Sequence, residues 1–146
     1  MAKTSTYLNF PGQTEEVFNF YRSIFGGEFC GGGIMRFGDI PPQEGMPPMA
    51  EEVKNLVMHI ELPILGGHLL MGSDAPESMG FQVQFGNNVY LNLDADTREE
   101  TSRIFNALSN GGKIEMDLQD VFWGAYFGSC SDKYGINWMV YCNVKP

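Results

Sequence analysis

A run of four residues recurs in this chain after 83 positions, and the recurrence limits the folds that the sequence can adopt. YLNF at 7–10 returns as YLNL at 90–93. At the same offset Glu16 corresponds to Glu99, and each follows a polar residue by three positions, the spacing of a capping box at a helix start. Each half of the chain therefore opens with a strand, a tight turn and a helix.

Apolar positions at helical spacing predict one helix after each of these two strands. Gln13 and Asp96 are the polar residues expected to cap the helices, and glycine pairs at 26–27 and 111–112 are expected to end them. The two apolar stripes are interpreted as core. They comprise Val17, Phe20, Tyr21, Ile24 and Phe25 in the first helix, and Ile104, Phe105 and Leu108 in the second.

Three strands are predicted after each helix, so each half has the element order βαβββ. Their expected ranges are 28–37, 55–62 and 67–73 in the first half, and 113–118, 125–130 and 136–143 in the second. One such unit leaves a sheet face that it cannot bury alone, which explains the duplication. We predict a single α+β domain over 1–146, with module 1 at about 1–74, a linker at 75–87 and module 2 at about 88–146.

A proline-rich segment at 37–52 interrupts the first half. Its two Pro-Pro pairs, at 41–42 and 47–48, do not allow a continued strand ladder, so the segment is predicted to be a loop. Met46 and Met49 lie between its charged residues. The loop is interpreted as a lid over a cavity, an arm that reaches a second subunit, or a plain surface connection.

Charge excludes two classes of partner. The chain has 9 Lys and Arg against 18 Asp and Glu, with a formal net charge of −9. A phosphate backbone or an anionic membrane surface would be repelled, so we expect neither nucleic acid nor membrane as a partner. After Met1 the chain reads AKTST without an apolar segment, and its three cysteines form no CxxC. A reducing, cytoplasmic location is therefore expected.

The C-terminal part carries a distinctive set of aromatic and glycine positions. FWG at 122–124, FG at 127–128 and DKYGINWM at 132–139 follow GKIEM at 112–116, and the chain opens with YLNFPG at 7–12. Together these runs resemble the PhnB-like branch of the vicinal oxygen chelate superfamily, which includes glyoxalase I, bleomycin-resistance proteins and extradiol dioxygenases. The resemblance carries the description 3-demethylubiquinone-9 3-methyltransferase-like. The sequence has no glycine-rich strand-to-helix turn for an adenosyl cofactor, so we expect no cofactor.

The resemblance implies two βαβββ modules that form a curved mixed sheet with a central cleft, commonly in a homodimer. It also implies four metal-ligand positions, which fall in this chain at Thr6, Met71, Val89 and Met139. None of these side chains is a carboxylate or an imidazole, and a thioether is a poor ligand for hard or borderline ions. The implied cleft therefore lacks the expected metal ligands, and we predict no metal site there.

An alternative metal site uses both histidines of the chain together with one carboxylate, namely His59, Glu61 and His68. If the glycines at 66–67 close a hairpin, strand alternation with an odd register would put all three side chains on one face. Two histidines and a carboxylate are a suitable set for iron or zinc. That face would be opposite the one lining the cleft. A solvated or helix-covered polar face is the preferred interpretation, and a metal-dependent lyase or dioxygenase-type enzyme is the alternative function.

The expected cleft is apolar and adaptable, because methionine fills irregular space. Its predicted ligand-binding residues are Thr6, Met58, Met71, Val89, Trp123, Phe127 and Met139. Tyr7, Asn9, Tyr90 and Asn92 are further possible hydrogen-bond donors, but strand alternation places Tyr7 and Asn9 on the face opposite Thr6. No pair of carboxylates and no nucleophile motif assigns a catalytic residue. The sequence therefore predicts a PhnB-like protein that binds a small apolar or aromatic metabolite without a metal.

Overall fold

The computed structural model describes residues 1–144, which fold as two compact units, Met1–Val83 and the described residues from Gln84 onwards. Each unit has its own four-stranded sheet and one long helix. No helix in this described part of the chain is long and apolar enough to cross a bilayer. The α+β class and the two similar units predicted from the repeat are confirmed.

The first unit has the order βαβββ with one short additional helix. Its elements are β1 (Thr6–Phe10), α1 (Thr14–Phe25), β2 (Met35–Arg36), α2 (Glu51–Lys54), β3 (Val57–Pro63) and β4 (Leu69–Asp74). The strands lie in the order β1-β4-β3-β2. The pair β1–β4 is parallel and the other pairs are antiparallel, which makes the sheet mixed.

The second unit repeats this arrangement. Its elements are β5 (Leu91–Asp94), α3 (Arg98–Ser109), β6 (Lys113–Asp120), β7 (Tyr126–Ser131) and β8 (Asn137–Cys142). The strand order is β5-β8-β7-β6, again with one parallel pair, β5–β8. The strands containing YLNF and YLNL therefore occupy the same edge position in their respective sheets.

In each unit the long helix covers one face of the sheet and packs tightly against a glycine. A Cβ atom added at Gly72 of β4 would lie 2.7 Å from the ring of Phe18 on α1, and one added at Gly128 of β7 would lie 2.7 Å from the ring of Phe105 on α3. These contacts identify the helix-covered face of each sheet. The opposite face has no helix of its own unit packed on it in the same way, and we call it the uncovered face.

The strand predicted at 28–37 is much shorter than expected, because only Met35–Arg36 pairs with β3. Three successive glycines at 31–33 have positive φ, which a regular strand does not allow. Before them, the Cys30 amide donates a 3.0 Å hydrogen bond to the Glu61 carbonyl. The predicted loop at 37–52 also differs, since it begins with a 3-10 turn at Phe37–Asp39 and ends in α2.

Both helix caps differ from the sequence prediction. Gln13 makes no side-chain capping bond, and the Asp74 carboxylate accepts a 3.0 Å hydrogen bond from the Thr14 amide instead. In the second unit the cap is Thr97 and not Asp96, because the Thr97 hydroxyl accepts a 3.0 Å bond from the Glu100 amide. The cap in the second unit is thus displaced by one residue from its predicted position.

Candidate functional site

The uncovered face of the first sheet carries a row of side chains with mixed polarity. Tyr7 of β1 pairs with Met71 of β4, and Met71 pairs with Glu61 of β3. Side chains of paired residues point to the same side of a sheet, so the three are neighbours. Alternation along β3 adds His59 to this face. We call these four residues the first-sheet site.

This register corrects the predicted assignment of faces. Odd-numbered residues of β3 lie beside odd-numbered residues of β4, as in Glu61 beside Met71, whereas an odd register would require odd beside even. A slip of one residue exchanges the two faces of a strand. His59 and Glu61 therefore share the face of Met71, and Met58 lies on the helix-covered face with Ile60.

Thr6 is also on the helix-covered side, contrary to its predicted place in the cleft. It pairs with Leu70, which alternates with Met71 and is fully buried. Tyr7, the next residue, is 49% exposed and points to the uncovered face. On β1, a ligand on that face therefore meets Tyr7. The sequence indicated this residue only as a further possible hydrogen-bond donor.

A chain of hydrogen bonds crosses the first-sheet site. The Tyr7 hydroxyl lies 3.3 Å from His59 Nδ1, and His59 Nε2 lies 3.0 Å from Glu61 Oε1. The other carboxylate oxygen, Oε2, accepts from the Cys30 thiol at 3.4 Å. The two ring nitrogens of His59 and the two oxygens of Glu61 thus each have a partner, which fixes the imidazole ring in one orientation.

These contacts move two pKa values in opposite directions. The hydrogen bond from His59 lowers the pKa of Glu61, and the bond from Cys30 lowers it further. Burial raises the pKa of Cys30, and the neighbouring Glu61 carboxylate adds to the effect. Glu61 is therefore an anion and Cys30 a thiol at neutral pH, which does not favour Cys30 as a nucleophile.

His68 does not join His59 and Glu61. Its Nε2 lies 2.9 Å from the Thr6 hydroxyl, on the helix-covered side of the sheet. The three residues of the alternative metal site are thus divided between the two faces, because the register is even. Within residues 1–144, no group of three or more His, Cys, Asp and Glu side chains is arranged to hold a metal ion.

The uncovered face of the second sheet carries Met139 beside Asn92 of β5, and Phe127 of β7 beside Tyr141. The Tyr90 hydroxyl, just before β5, donates a 2.6 Å hydrogen bond to Glu115 of β6. Strands β5 and β6 are the two edges, which would lie about 14 Å apart in a flat sheet. The bond therefore connects the segment before β5 to the opposite edge strand of the same sheet.

Met71 and Met139 are two of the four positions implied by the family resemblance, and the strand pairing shows that they do not occupy matching places in the two sheets. Met139 lies beside Asn92, whereas the residue beside Asn9, the counterpart of Asn92 in the repeat, is Ser73. The two methionines therefore share the uncovered face of their own sheets but differ by two residues along the strand.

The other predicted binding residues lie at strand ends and turns. Val89 is 69% exposed and precedes β5. Trp123, 61% exposed, is in the β6–β7 turn, where its ring contacts Phe122 at 5.1 Å and Phe127 at 6.3 Å between centroids. Their role in ligand binding stays a prediction, as it does for Met71, Phe127 and Met139.

The Tyr90–Glu115 bond leads to a prediction about titration. The carboxylate accepts the phenolic hydrogen and repels a phenolate, so it raises the pKa of Tyr90. In a Glu115→Gln variant we expect the pKa of Tyr90 to fall towards its ordinary value, because the amide carries no charge. NMR titration of labelled tyrosine rings measures it. A Gln119→Ala variant on the same strand is the control, and an unchanged Tyr90 titration in Glu115→Gln would contradict the prediction.

Comparisons with known proteins agree with this architecture. The family model described as 3-demethylubiquinone-9 3-methyltransferase matches residues 2–141. Protein YjdN from Escherichia coli (strain K12) is 30% identical over 141 residues, which cover 93% of this chain and 92% of YjdN. Protein PA1353 from Pseudomonas aeruginosa superposes with a TM-score of 0.80 at 32% identity, covering 97% of this chain and 98% of that chain.

Two further structures extend the comparison. The PhnB protein from Bacillus cereus has a TM-score of 0.74 and 29% identity, with 97% of this chain and 99% of that chain covered. A glyoxalase/bleomycin resistance protein/dioxygenase family enzyme from Burkholderia phytofirmans shares the fold, with a TM-score of 0.61 at 16% identity over 95% and 98% of the two chains. The chain therefore belongs to the PhnB-like 3-demethylubiquinone-9 3-methyltransferase family, and its fold is that of the glyoxalase/bleomycin-resistance/dioxygenase proteins.

Proposed function

We propose that the protein binds a small apolar or aromatic molecule on the first-sheet site without a metal ion. The observation that carries this proposal is the exposed ring of Tyr7 beside the thioether of Met71, on a sheet face opposite α1. An aromatic surface next to a flexible thioether favours contact with a flat apolar molecule. The adjoining His59–Glu61 pair supplies polar contacts that orient it.

We propose a site without a metal because of the side chains that could act as ligands. The family positions expected to hold a metal carry Thr6 and Met71 in this unit, and Thr6 points to the other face. His59 and Glu61 are bonded to each other and to Tyr7 and Cys30. A metal ion would have to break these bonds and would gain only two strong donors from one face, so the residues do not fit one.

Methyl transfer, which the family description names, receives less support than binding. An adenosyl cofactor is commonly held where a glycine-rich turn leads into a helix N-terminus. Here the turn into α1 has a single glycine, Gly12, and the Thr14 amide at the helix start already donates to the Asp74 carboxylate. The helix start is thus occupied by an anion of the protein itself.

The apolar surface that a small ligand can bury limits the expected affinity. A ligand that buries about 200 Å² of apolar surface gains roughly 5 kcal/mol before the cost of association. That cost is itself several kcal/mol, so an apolar probe alone should bind weakly, with a Kd above about 1 mM, because a Kd of 1 mM requires a net gain of about 4.1 kcal/mol. Hydrogen bonds to the ligand would be needed for tighter binding.

A ligand-detected NMR titration with 4-nitroanisole, an aromatic probe without an ionisable group, tests the proposal. We expect saturable binding to the wild type and about tenfold weaker binding to Met71→Ala, since Met71 contributes apolar contact worth about 1.4 kcal/mol. Met79→Ala is the matched control, because Met79 is exposed in a 3-10 turn outside the sheet. No saturable binding, or equal weakening in both variants, would contradict the proposal.

We also propose a cytoplasmic homodimer. Support for the dimer comes from the family resemblance and from apolar side chains exposed in and near the loop, Ile40 and Met46. Support for the compartment comes from three cysteines that form no disulfide, two of them buried. Native mass spectrometry of freshly purified protein reports the number of subunits, and a monomer at micromolar concentration would contradict the dimer.

A further inference from the structure

The hydrogen bonds around His59 determine which of its nitrogens carries the proton. Glu61 is ionised, because its pKa is lowered, and a carboxylate only accepts hydrogen bonds. His59 Nε2, 3.0 Å from Oε1, is therefore the donor. In the neutral imidazole Nδ1 is then the acceptor, and it faces the Tyr7 hydroxyl at 3.3 Å. The Tyr7 hydrogen points to His59.

This orientation makes the Tyr7 oxygen the outer end of a proton path. Its hydrogen is directed inward, so the oxygen can accept a hydrogen bond from a hydroxyl group of a ligand lying over Met71. The Glu61 carboxylate lies at the inner end, with Oε1 3.0 Å from His59 Nε2, and forms an ion pair with the ring once Nδ1 has taken up a proton. His59 is thus a proton acceptor that the Glu61 carboxylate orients, and a ligand reaches it through the Tyr7 hydroxyl.

We propose that the first-sheet site binds an aromatic hydroxyl compound and takes up its proton, so that the ligand is held as its phenolate. This inference rests on the proposed function and names the ligand class. The ligand O–H bond breaks as its proton passes to the Tyr7 oxygen, and the Tyr7 proton passes to His59 Nδ1. The products are a phenolate, a neutral Tyr7 that donates to it, and an imidazolium paired with Glu61. No other reactant is needed.

The charged and titratable groups around His59 are compatible with this transfer. Tyr7 faces it from β1 and Glu61 from β3, and the Cys30 thiol from the segment before β2 is bonded to Glu61. Lys3 is positive and acts on Glu61 and Cys30 through the electrostatic field. From β4 the facing residue is Met71, which is uncharged.

Absorption spectroscopy with 4-nitrophenol tests the inference, since its neutral and ionised forms absorb at different wavelengths. At a pH below the pKa of the free probe, we expect the bound probe to show the phenolate band, with its pKa lowered by about one unit, a tenfold change in ionisation. His59→Gln and Tyr7→Phe should bind the probe in its neutral form. His68→Gln, the other histidine of the chain, should behave as the wild type.

The outcomes separate this inference from the proposed function. Binding of 4-nitrophenol by the wild type without the phenolate band would overturn the inference and leave the proposed function standing. A phenolate band that persists in His59→Gln would also overturn it. If neither 4-nitrophenol nor 4-nitroanisole binds, both fail. Glu61→Gln keeps His59 but removes its counter-charge, and a reduced phenolate fraction in this variant would support the inference even if His59→Gln does not fold.

Discussion

Replacing Asp132 with alanine is expected to lower the free energy of unfolding by about 4 kcal/mol. Asp132 is 3% exposed, and its carboxylate accepts hydrogen bonds from the Tyr134 and Ile136 amides and from the indole Nε1 of Trp138 at 2.8 Å. Trp138 is fully buried, so its N–H would lose its partner away from water. The loss is a large fraction of the 5–15 kcal/mol typical of a domain.

Urea unfolding followed by circular dichroism measures this effect. Asp132→Asn should lower the free energy of unfolding less, by about 2 kcal/mol. Its amide oxygen can still accept a hydrogen bond, whereas its N–H₂ group cannot. The matched control is Asp117→Ala, an exposed carboxylate on β6 of the same unit, which should change stability by less than about 0.5 kcal/mol. A loss in Asp132→Ala no larger than in the control would contradict the role assigned to this carboxylate.

Asp74→Ala is expected to destabilise the first unit by about 3 kcal/mol. The Asp74 carboxylate, 4% exposed, accepts from the Thr14 amide at 3.0 Å and from the Val57 amide at 2.8 Å. It thereby connects the end of β4 to the starts of α1 and β3. Alanine would leave two amide groups without this acceptor and remove the negative charge from the N-terminus of α1.

The same urea measurement checks this prediction, with Asp96→Ala as control. Asp96 directly precedes Thr97, the cap of α3, but Asp96 is exposed and does not cap the helix itself. We expect the control to lose less than about 0.5 kcal/mol. If Asp96→Ala were as destabilising as Asp74→Ala, the assignment of the two caps would be wrong.

The two caps show what sequence reasoning could and could not reach. Thr97 is within one residue of the predicted cap, because a cap that bonds three residues ahead is a local pattern. Asp74 is 60 residues from the amide that it caps, so no local pattern around Gln13 could identify it. The repeat did predict both helices and the unit order, since apolar periodicity is also local.

The prediction of which side chains share a sheet face depended on the exact register between β3 and β4. The sequence correctly predicted a turn at 66–67 between β3 and β4, but Gly-Gly is compatible with several turn geometries. Each geometry gives a different register, and a shift by one residue exchanges the faces. Met58 and His59 consequently lie on the sides opposite to those predicted.

The contact between Cys30 and Glu61 could not be predicted from the sequence either. It forms because three glycines of positive φ bend the chain directly after Cys30 and keep it beside β3. The sequence pattern instead predicted a continuous strand at 28–37. In contrast, strand alternation predicted that Tyr7 and Asn9 lie on the same side of β1. The 3.0 Å hydrogen bond from the Ser73 hydroxyl to Asn9 on the uncovered face confirms this.

Methyl NMR of methionine-labelled protein during titration with 4-nitroanisole tests the central claim most directly, that a ligand lies on the uncovered face of the first sheet. Met71 is on that face and Met58 is on the face covered by α1, so they are matched reporters in one unit. We predict a ring-current shift of the Met71 methyl signal that saturates with binding, while Met58 stays unmoved. A saturating shift at Met58 with none at Met71 would contradict the account.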